Sequence, residues 1–209
     1  YPMDPSQHNS FFNYVNNFYL SGFGISRENA LLINCAEIPL VDAKQWKDIF
    51  PNYTIDLTLR HRDPKSELEK VQQSSIYLID QWCTEYEEKI RNMGGIGFFL
   101  GGIGPDGHIA FNVRGSDHNS TTRLMETNFE TQAAAATDLG GIEISKNRLV
   151  ITIGLASITF KDDTVAIITA AGEAKASIVK TSLENLPDVK FPATVLQRCE
   201  YSRFYLTNG

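Results

Sequence analysis

The sequence predicts an α/β domain built on a mainly parallel sheet with helices on both faces. Three observations predict it. Short apolar runs recur from the middle of the chain onward, at 96–100, 149–154, 164–169 and 203–206. Helix-patterned stretches stand between or before them, at 66–93 and 172–186. A glycine-dense turn follows the first apolar run at once, with four glycines in the seven residues 101–107. Apolar strands alternating with helices require crossover connections, which place strands parallel and helices over the sheet.

Taken in order, residues 8–20 carry Phe11, Phe12, Val15, Phe18 and Tyr19 at spacings near those of an amphipathic helix, and Gly22-Phe23-Gly24 ends it. Residues 30–34 form a short apolar run and read as a strand. Pro39, Pro51 and Pro64 punctuate weak patterns, so the stretch between is expected to be irregular. From 66 the pattern turns helical, with Glu85, Glu87, Glu88, Lys89 and Arg91 assigned to a solvated face. Gly94-Gly95 stops that helix. Residues 133–136 are four alanines, a short helix former, and no internal repeat is visible.

Bulk properties narrow the function. A chain of 209 residues, 42% hydrophobic and 21% charged, can bury one sizeable core. A net charge of −6 without a basic run argues against nucleic-acid or membrane-surface partners. No apolar run approaches the roughly 20 residues that cross a bilayer. No signal peptide is read in the polar start after Tyr1-Pro2-Met3-Asp4. Cys35, Cys83 and Cys199 are odd in number and lack metal-ligand spacing, so reduced thiols, no metal site and a cytoplasmic location are expected. The chain opens on Tyr1 and closes as a strand gives way to a turn, so a single α/β domain over 1–209, cut from a longer polypeptide, is expected.

The chemistry concentrates in residues 100–112, Leu-Gly-Gly-Ile-Gly-Pro-Asp-Gly-His-Ile-Ala-Phe-Asn. This segment leaves the end of a predicted strand, where open α/β sheets bind ligands. Its glycines let the backbone approach a ligand and turn N–H groups inward. Asp106 and His108 are too close in sequence for one helical face but suit a loop that folds a carboxylate against an imidazole. Such a carboxylate fixes the ring tautomer and stabilises its protonated form, which fits His108 for general acid/base work. The plainer alternatives are a packed histidine and a merely tight turn. Residues 102–107 also match GxGxxG, but that fingerprint needs a helix to start within it, and the residues after His108 read as loop.

Residues 101–112 closely resemble the signature of the glucosamine-6-phosphate deaminases, also called isomerases. The resemblance extends to Glu85-Tyr86-Glu87-Glu88-Lys89-Ile90-Arg91, to Thr121-Thr122-Arg123 and to Gly172-Glu173-Ala174-Lys175. It implies a Rossmann-like α/β fold and a cofactor-free reaction: pyranose opening, proton transfer between C2 and C1, and release of ammonia to leave fructose 6-phosphate. By position it makes His108 the ring-opening acid/base and Asp106 its carboxylate partner. It also gives Gly101 and Gly102 backbone contacts to the sugar and Lys175 the phosphate. The partner implied is a small-molecule sugar phosphate, and a homo-oligomer is allowed.

The sequence also departs from that pattern. Val113 stands where the resemblance places a glutamate, and Thr137 where it places a phosphate-binding arginine. The enolising aspartate and the first phosphate loop would lie upstream of Tyr1, so residues 1–209 alone are expected to be inactive. Ser116 and Arg123 match activator-site positions of bacterial hexameric members, whereas Met125 and Glu126 replace polar or basic partners. Residues 39–80 read as an insertion. Two other functions therefore stand beside the deaminase/isomerase: a non-catalytic sugar-phosphate sensor of the same fold, and a related sugar-phosphate isomerase or lactonase.

Overall fold

The computed structural model describes residues 1–138 and 149–207. Its centre is a three-stranded parallel sheet, and a separate antiparallel pair lies apart from it. In chain order the strands are β1 (Phe98–Gly102), β2 (Arg123–Glu126), β3 (Leu149–Thr152), β4 (Val165–Ala170) and β5 (Arg203–Leu206). The parallel sheet has the order β1-β4-β5, with Phe98 opposite Val165 and Ile167 opposite Arg203. β2 and β3 form the antiparallel pair, with Leu124 opposite Ile151. The apolar run at 149–154, expected in the main sheet, therefore belongs to this second ladder. A fully buried four-residue strand looks the same in either place; pairing with β2 decided it.

The helices are α1 (Phe11–Tyr14), α2 (Ser21–Phe23), α3 (Trp46–Ile49), α4 (Glu67–Asn92), α5 (Phe129–Asp138), α6 (Leu155–Ile158) and α7 (Ala176–Glu184). α4 starts where Ser66 Oγ accepts the Glu69 N–H at 3.1 Å, with Glu67 and Glu69 at the positive end of the helix dipole. It ends at Gly94 and Gly95, both at positive φ. Its stripe of Ile76, Ile79, Cys83, Tyr86 and Ile90 is buried at helical spacing. Glu87 shares that stripe rather than the solvated face expected of it: its carboxylate accepts from Ser157 Oγ at 2.6 Å and Thr122 Oγ1 at 2.9 Å. Charge at that position marks a buried tie between α4 and the loops, which a helical wheel cannot distinguish from a surface glutamate.

α4 packs into a first core with residues 35–60 and the β2–β3 ladder; Ile49, Phe50, Leu59, Ile76, Ile79 and Leu149 are its most enclosed members. Residues 39–80 thus supply much of this core. Arg60 clamps it, its guanidinium meeting both Asp80 oxygens at 2.7 Å and the Leu124 carbonyl at 3.1 Å. A second core lies on one face of the parallel sheet, where Ala166 and Ile168 meet Leu155 and Ile158 of α6, Ile178 and Val179 of α7, and Val195 and Leu196. From the other face Phe98, Leu100 and Tyr205 project with more than half their surface exposed. Among the described residues only one face of β1 is covered.

Two early expectations shift. Residues 30–34 are extended but join no strand ladder; Asn34 accepts from Ala36 N at 3.1 Å and turns the chain into a helical turn at Cys35–Glu37. The helix expected over 8–20 begins at Phe11 and winds more widely over Val15–Leu20, and Leu20 is its one buried residue. Its aromatic rings instead meet each other, Tyr14 and Phe18 at 4.8 Å and Tyr19 and Phe23 at 5.9 Å. No helix among the described residues is long and apolar enough to cross a membrane.

Candidate active site

The turn after β1 is set by its glycines. Gly104 N–H donates to the His108 carbonyl at 2.9 Å and Gly107 N–H to the Gly104 carbonyl at 3.0 Å, closing a tight loop. Gly107 has φ of 82°, in the left-handed region that favours glycine. Gly104 serves differently: a Cβ there would stand 2.0 to 2.3 Å from three atoms of the His108 ring. The imidazole lies directly on this glycine. No helix begins within the turn, since the chain goes on into the Ile109–Asn112 bridge, and this removes the dinucleotide reading.

Asp106 and His108 meet as the sequence predicts. His108 Nδ1 lies 2.5 Å from Asp106 Oδ1, and the carboxylate is almost wholly buried. The His108 N–H also points at Oδ1, at 3.3 Å, while Oδ2 accepts from Asn128 Nδ2 at 2.6 Å and from Arg114 N at 3.1 Å. Burial alone would push the Asp106 carboxyl up. The bond and charge of His108, the Asn128 amide and the Arg114 N–H outweigh it and hold the carboxyl well below the usual carboxylate range. An ionised carboxylate at Nδ1 places the proton on that nitrogen, leaving Nε2 as the nitrogen a ligand can use.

His108 borders a cavity of about 600 Å³ at the carboxyl end of β1, a volume suited to a small molecule. Gly101, Gly102, Thr131, Phe111 and Lys175 line the same cavity. All five residues singled out from the sequence, Gly101, Gly102, Asp106, His108 and Lys175, therefore converge on one site, Asp106 from directly behind the imidazole. Lys175 stands at the head of α7, after Gly172 turns the chain at φ of 84°, and makes no ion pair with a described residue. No cluster of His, Cys, Asp and Glu among the described residues could hold a metal ion.

Three contributors escaped the sequence reading. Asn112, fully buried, donates to the Ile109 and Ile153 carbonyls at 3.0 and 2.8 Å and ties the turn to the end of β3. Asn128 accepts from Thr131 N at 2.9 Å, capping α5, while its amide holds Asp106. Thr131 Oγ1 is 3.2 Å from His108 Nδ1. An asparagine three residues before Thr131 reads as a helix cap; its second bond crosses 22 positions of sequence and leaves no local trace.

Val113 belongs to a small apolar cluster with Met125 and Val150, against which Phe111 packs. Phe111 in turn stacks on the His108 ring, with centroids 6.4 Å apart. Arg123 donates to Ser116 Oγ at 3.1 Å and Asn112 Oδ1 at 2.8 Å, so the two matched activator positions touch. Glu126 accepts from Ile55 N at 3.3 Å. Thr137 lies in α5, outside the residues whose side chains are described. Cys83 is buried and its thiol is pushed up to about 12, chiefly by that burial, which suits packing rather than nucleophilic work.

No family model matches the chain. It is 37% identical over 119 residues to the glucosamine-6-phosphate isomerase of Candida albicans, covering 57% of this chain and 48% of that protein. It is 32% identical over 162 residues to the glucosamine-6-phosphate deaminase of Borreliella burgdorferi, covering 77% and 59%. Among solved structures, a monomeric glucosamine-6-phosphate deaminase superposes with a TM-score of 0.56 at 28% identity, over 61% of this chain and 52% of that one. A 6-phosphogluconolactonase from Leishmania guyanensis superposes with a TM-score of 0.57 over 98% of this chain and 67% of its own; at 16% identity the likeness is one of fold. The chain spans about half to three-fifths of the length of the curated relatives named here.

Fold and site together define a Rossmann-like α/β protein with a carboxylate–imidazole pair at the carboxyl edge of its parallel sheet. Within that class, the chain is similar to the glucosamine-6-phosphate deaminases and isomerases, which supports membership of that family.

Proposed function

We propose that the chain carries the ring-opening centre of an enzyme converting glucosamine 6-phosphate and water to fructose 6-phosphate and ammonia. The observation that carries the reading is the 2.5 Å contact between Asp106 and His108 beside a cavity of ligand size. His108 Nε2 takes the proton of the O1 hydroxyl and returns it to the ring oxygen as the C1–O5 bond breaks, while Asp106 balances the transient imidazolium. Gly101 and Gly102 offer backbone to the sugar, and Lys175 pairs with the phosphate. A proton then passes from C2 to C1, and water replaces nitrogen at C2. The reading needs no cofactor and implies a cytoplasmic enzyme acting on a small sugar phosphate.

The test is ammonia release by the full-length protein. His108→Gln and Asp106→Asn are expected to lower kcat by on the order of 10²-fold or more. Lys175→Ala is expected to raise KM for the phosphorylated sugar. Tight sugar-phosphate binding without turnover would favour the sensor reading, to which Val113 in an apolar cluster lends some weight. Lactone hydrolysis without ammonia release would turn the assignment to the lactonase branch.

A further inference from the structure

We infer that Asn128 is the positioning residue of this centre, holding Asp106 and through it the ring of His108. The inference rests on the reading of Asp106 and His108 as the acid/base pair and extends it to a residue with no assigned role. A carboxylate can turn about its Cβ–Cγ bond. His108 engages Oδ1, so the orientation is fixed only if Oδ2 is fixed as well. Asn128 Nδ2 at 2.6 Å and Arg114 N at 3.1 Å do this. Arg114 offers backbone alone; Asn128 is the side chain that can be varied.

The amide is itself immobile. Its Oδ1 accepts the Thr131 N–H at 2.9 Å at the start of α5, and its backbone carbonyl accepts from Gln132 N at 3.0 Å. This also settles which end of the amide faces the carboxylate: the reversed orientation would set one acceptor against another and leave the helix N–H facing a donor. The same helical turn presents Thr131 Oγ1 to His108 Nδ1 at 3.2 Å. The first turn of α5 thus braces the pair from behind. The need is greater here because Val113 offers no carboxylate of its own to the imidazole.

Two substitutions separate bracing from capping. Asn128→Ser keeps an oxygen for the cap but is too short to reach Asp106. Asn128→Asp keeps the cap and sets a second carboxyl beside Asp106 in place of the N–H donor. Carboxyls that close share a proton. While the introduced group holds it, its O–H can donate to Oδ2 as the amide did; once the proton is lost, the two groups repel. Among the described residues, His108 is the ionisable group whose charge bears on Asp106, since Arg114 contributes its backbone N–H.

The experiment uses full-length protein and two readouts. The first is the proton resonance of the His108 Nδ1–H in ¹⁵N-histidine-labelled samples, assigned by its loss in His108→Gln. It is expected to be sharp and far downfield in the parent and lost to exchange in Asn128→Ser, whose cooperative melting shows that the protein still folds. The second is ammonia release. Asn128→Asp is expected to fall roughly ten- to hundredfold in kcat at about pH 8, to recover towards the parent near about pH 6, and to keep its KM. A persistent Nδ1–H resonance in Asn128→Ser, or an Asn128→Asp profile parallel to the parent's, would overturn the inference. The resonance is read without turnover, so a parent that releases no ammonia defeats the deaminase reading and leaves the bracing still decided by the spectrum.

Discussion

Replacing Gly104 by alanine is the most direct perturbation of the centre. The added methyl would meet Cε1, Nδ1 and Nε2 of His108 at 2.0, 2.2 and 2.3 Å. Carbon contacts settle near 3.5 to 4.0 Å, so the ring must withdraw by about 1.5 Å. That movement cannot preserve the 2.5 Å bond to Asp106, whose carboxylate is pinned on its other side by Asn128 and Arg114. A misplacement of about 1 Å can cost on the order of 10²-fold in rate, about 2.7 kcal/mol in the barrier. Loss of a hydrogen bond to a buried charge costs about 1.5–3 kcal/mol of stability. The stiffer unfolded chain returns about 0.4–1 kcal/mol of that. Gly97→Ala is the control, since its nearest neighbour would be the tip of Lys161 at 4.0 Å. Steady-state ammonia release and urea unfolding of the full-length pair measure both effects. A Gly104→Ala protein within twofold of the parent in kcat would show that the ring does not work from the position it occupies here.

Three further outcomes follow from other features. Asp106 is held below the ordinary carboxylate value of about 3.9, so it contributes stability above that pH and loses it as pH falls through the folded value. The stability gap between the parent and Asp106→Asn, measured by urea titration, should be widest near neutrality and narrow progressively as pH falls below about 4; a gap that widens in acid would contradict the sign. Glu87→Ala strips the carboxylate from Ser157 and Thr122 inside the core and should cost about 3 kcal/mol in unfolding free energy, whereas an exposed glutamate would cost almost nothing. Cys35, Cys83 and Cys199 are all unpaired and buried, and burial pushes each thiol up, so a thiol reagent should label them only after denaturant is added. Rapid labelling of Cys83 in the native protein would mean that the first core opens.

By itself the sequence determined the centre of this protein. Gly101, Gly102, Asp106 and His108 lie within eight consecutive positions, so the backbone of one turn brings them together whatever the rest of the chain does. α4 was equally legible, because capping residues, an apolar stripe and a double glycine are local signals that agree. Lys175 was reached through the family resemblance, and the fold carries it to the same cavity because β4 runs parallel to β1 and delivers its following turn to the same edge. Tertiary structure decided what depends on contacts between distant residues. β3 left the main sheet because β2 offered its edge, and Glu87 went inward because Ser157 and Thr122 met it there. The brace behind Asp106 came from Asn128 on α5. A residue's type announces that it can donate or accept; which partner it finds is fixed only when packing brings separate stretches of chain within hydrogen-bond length.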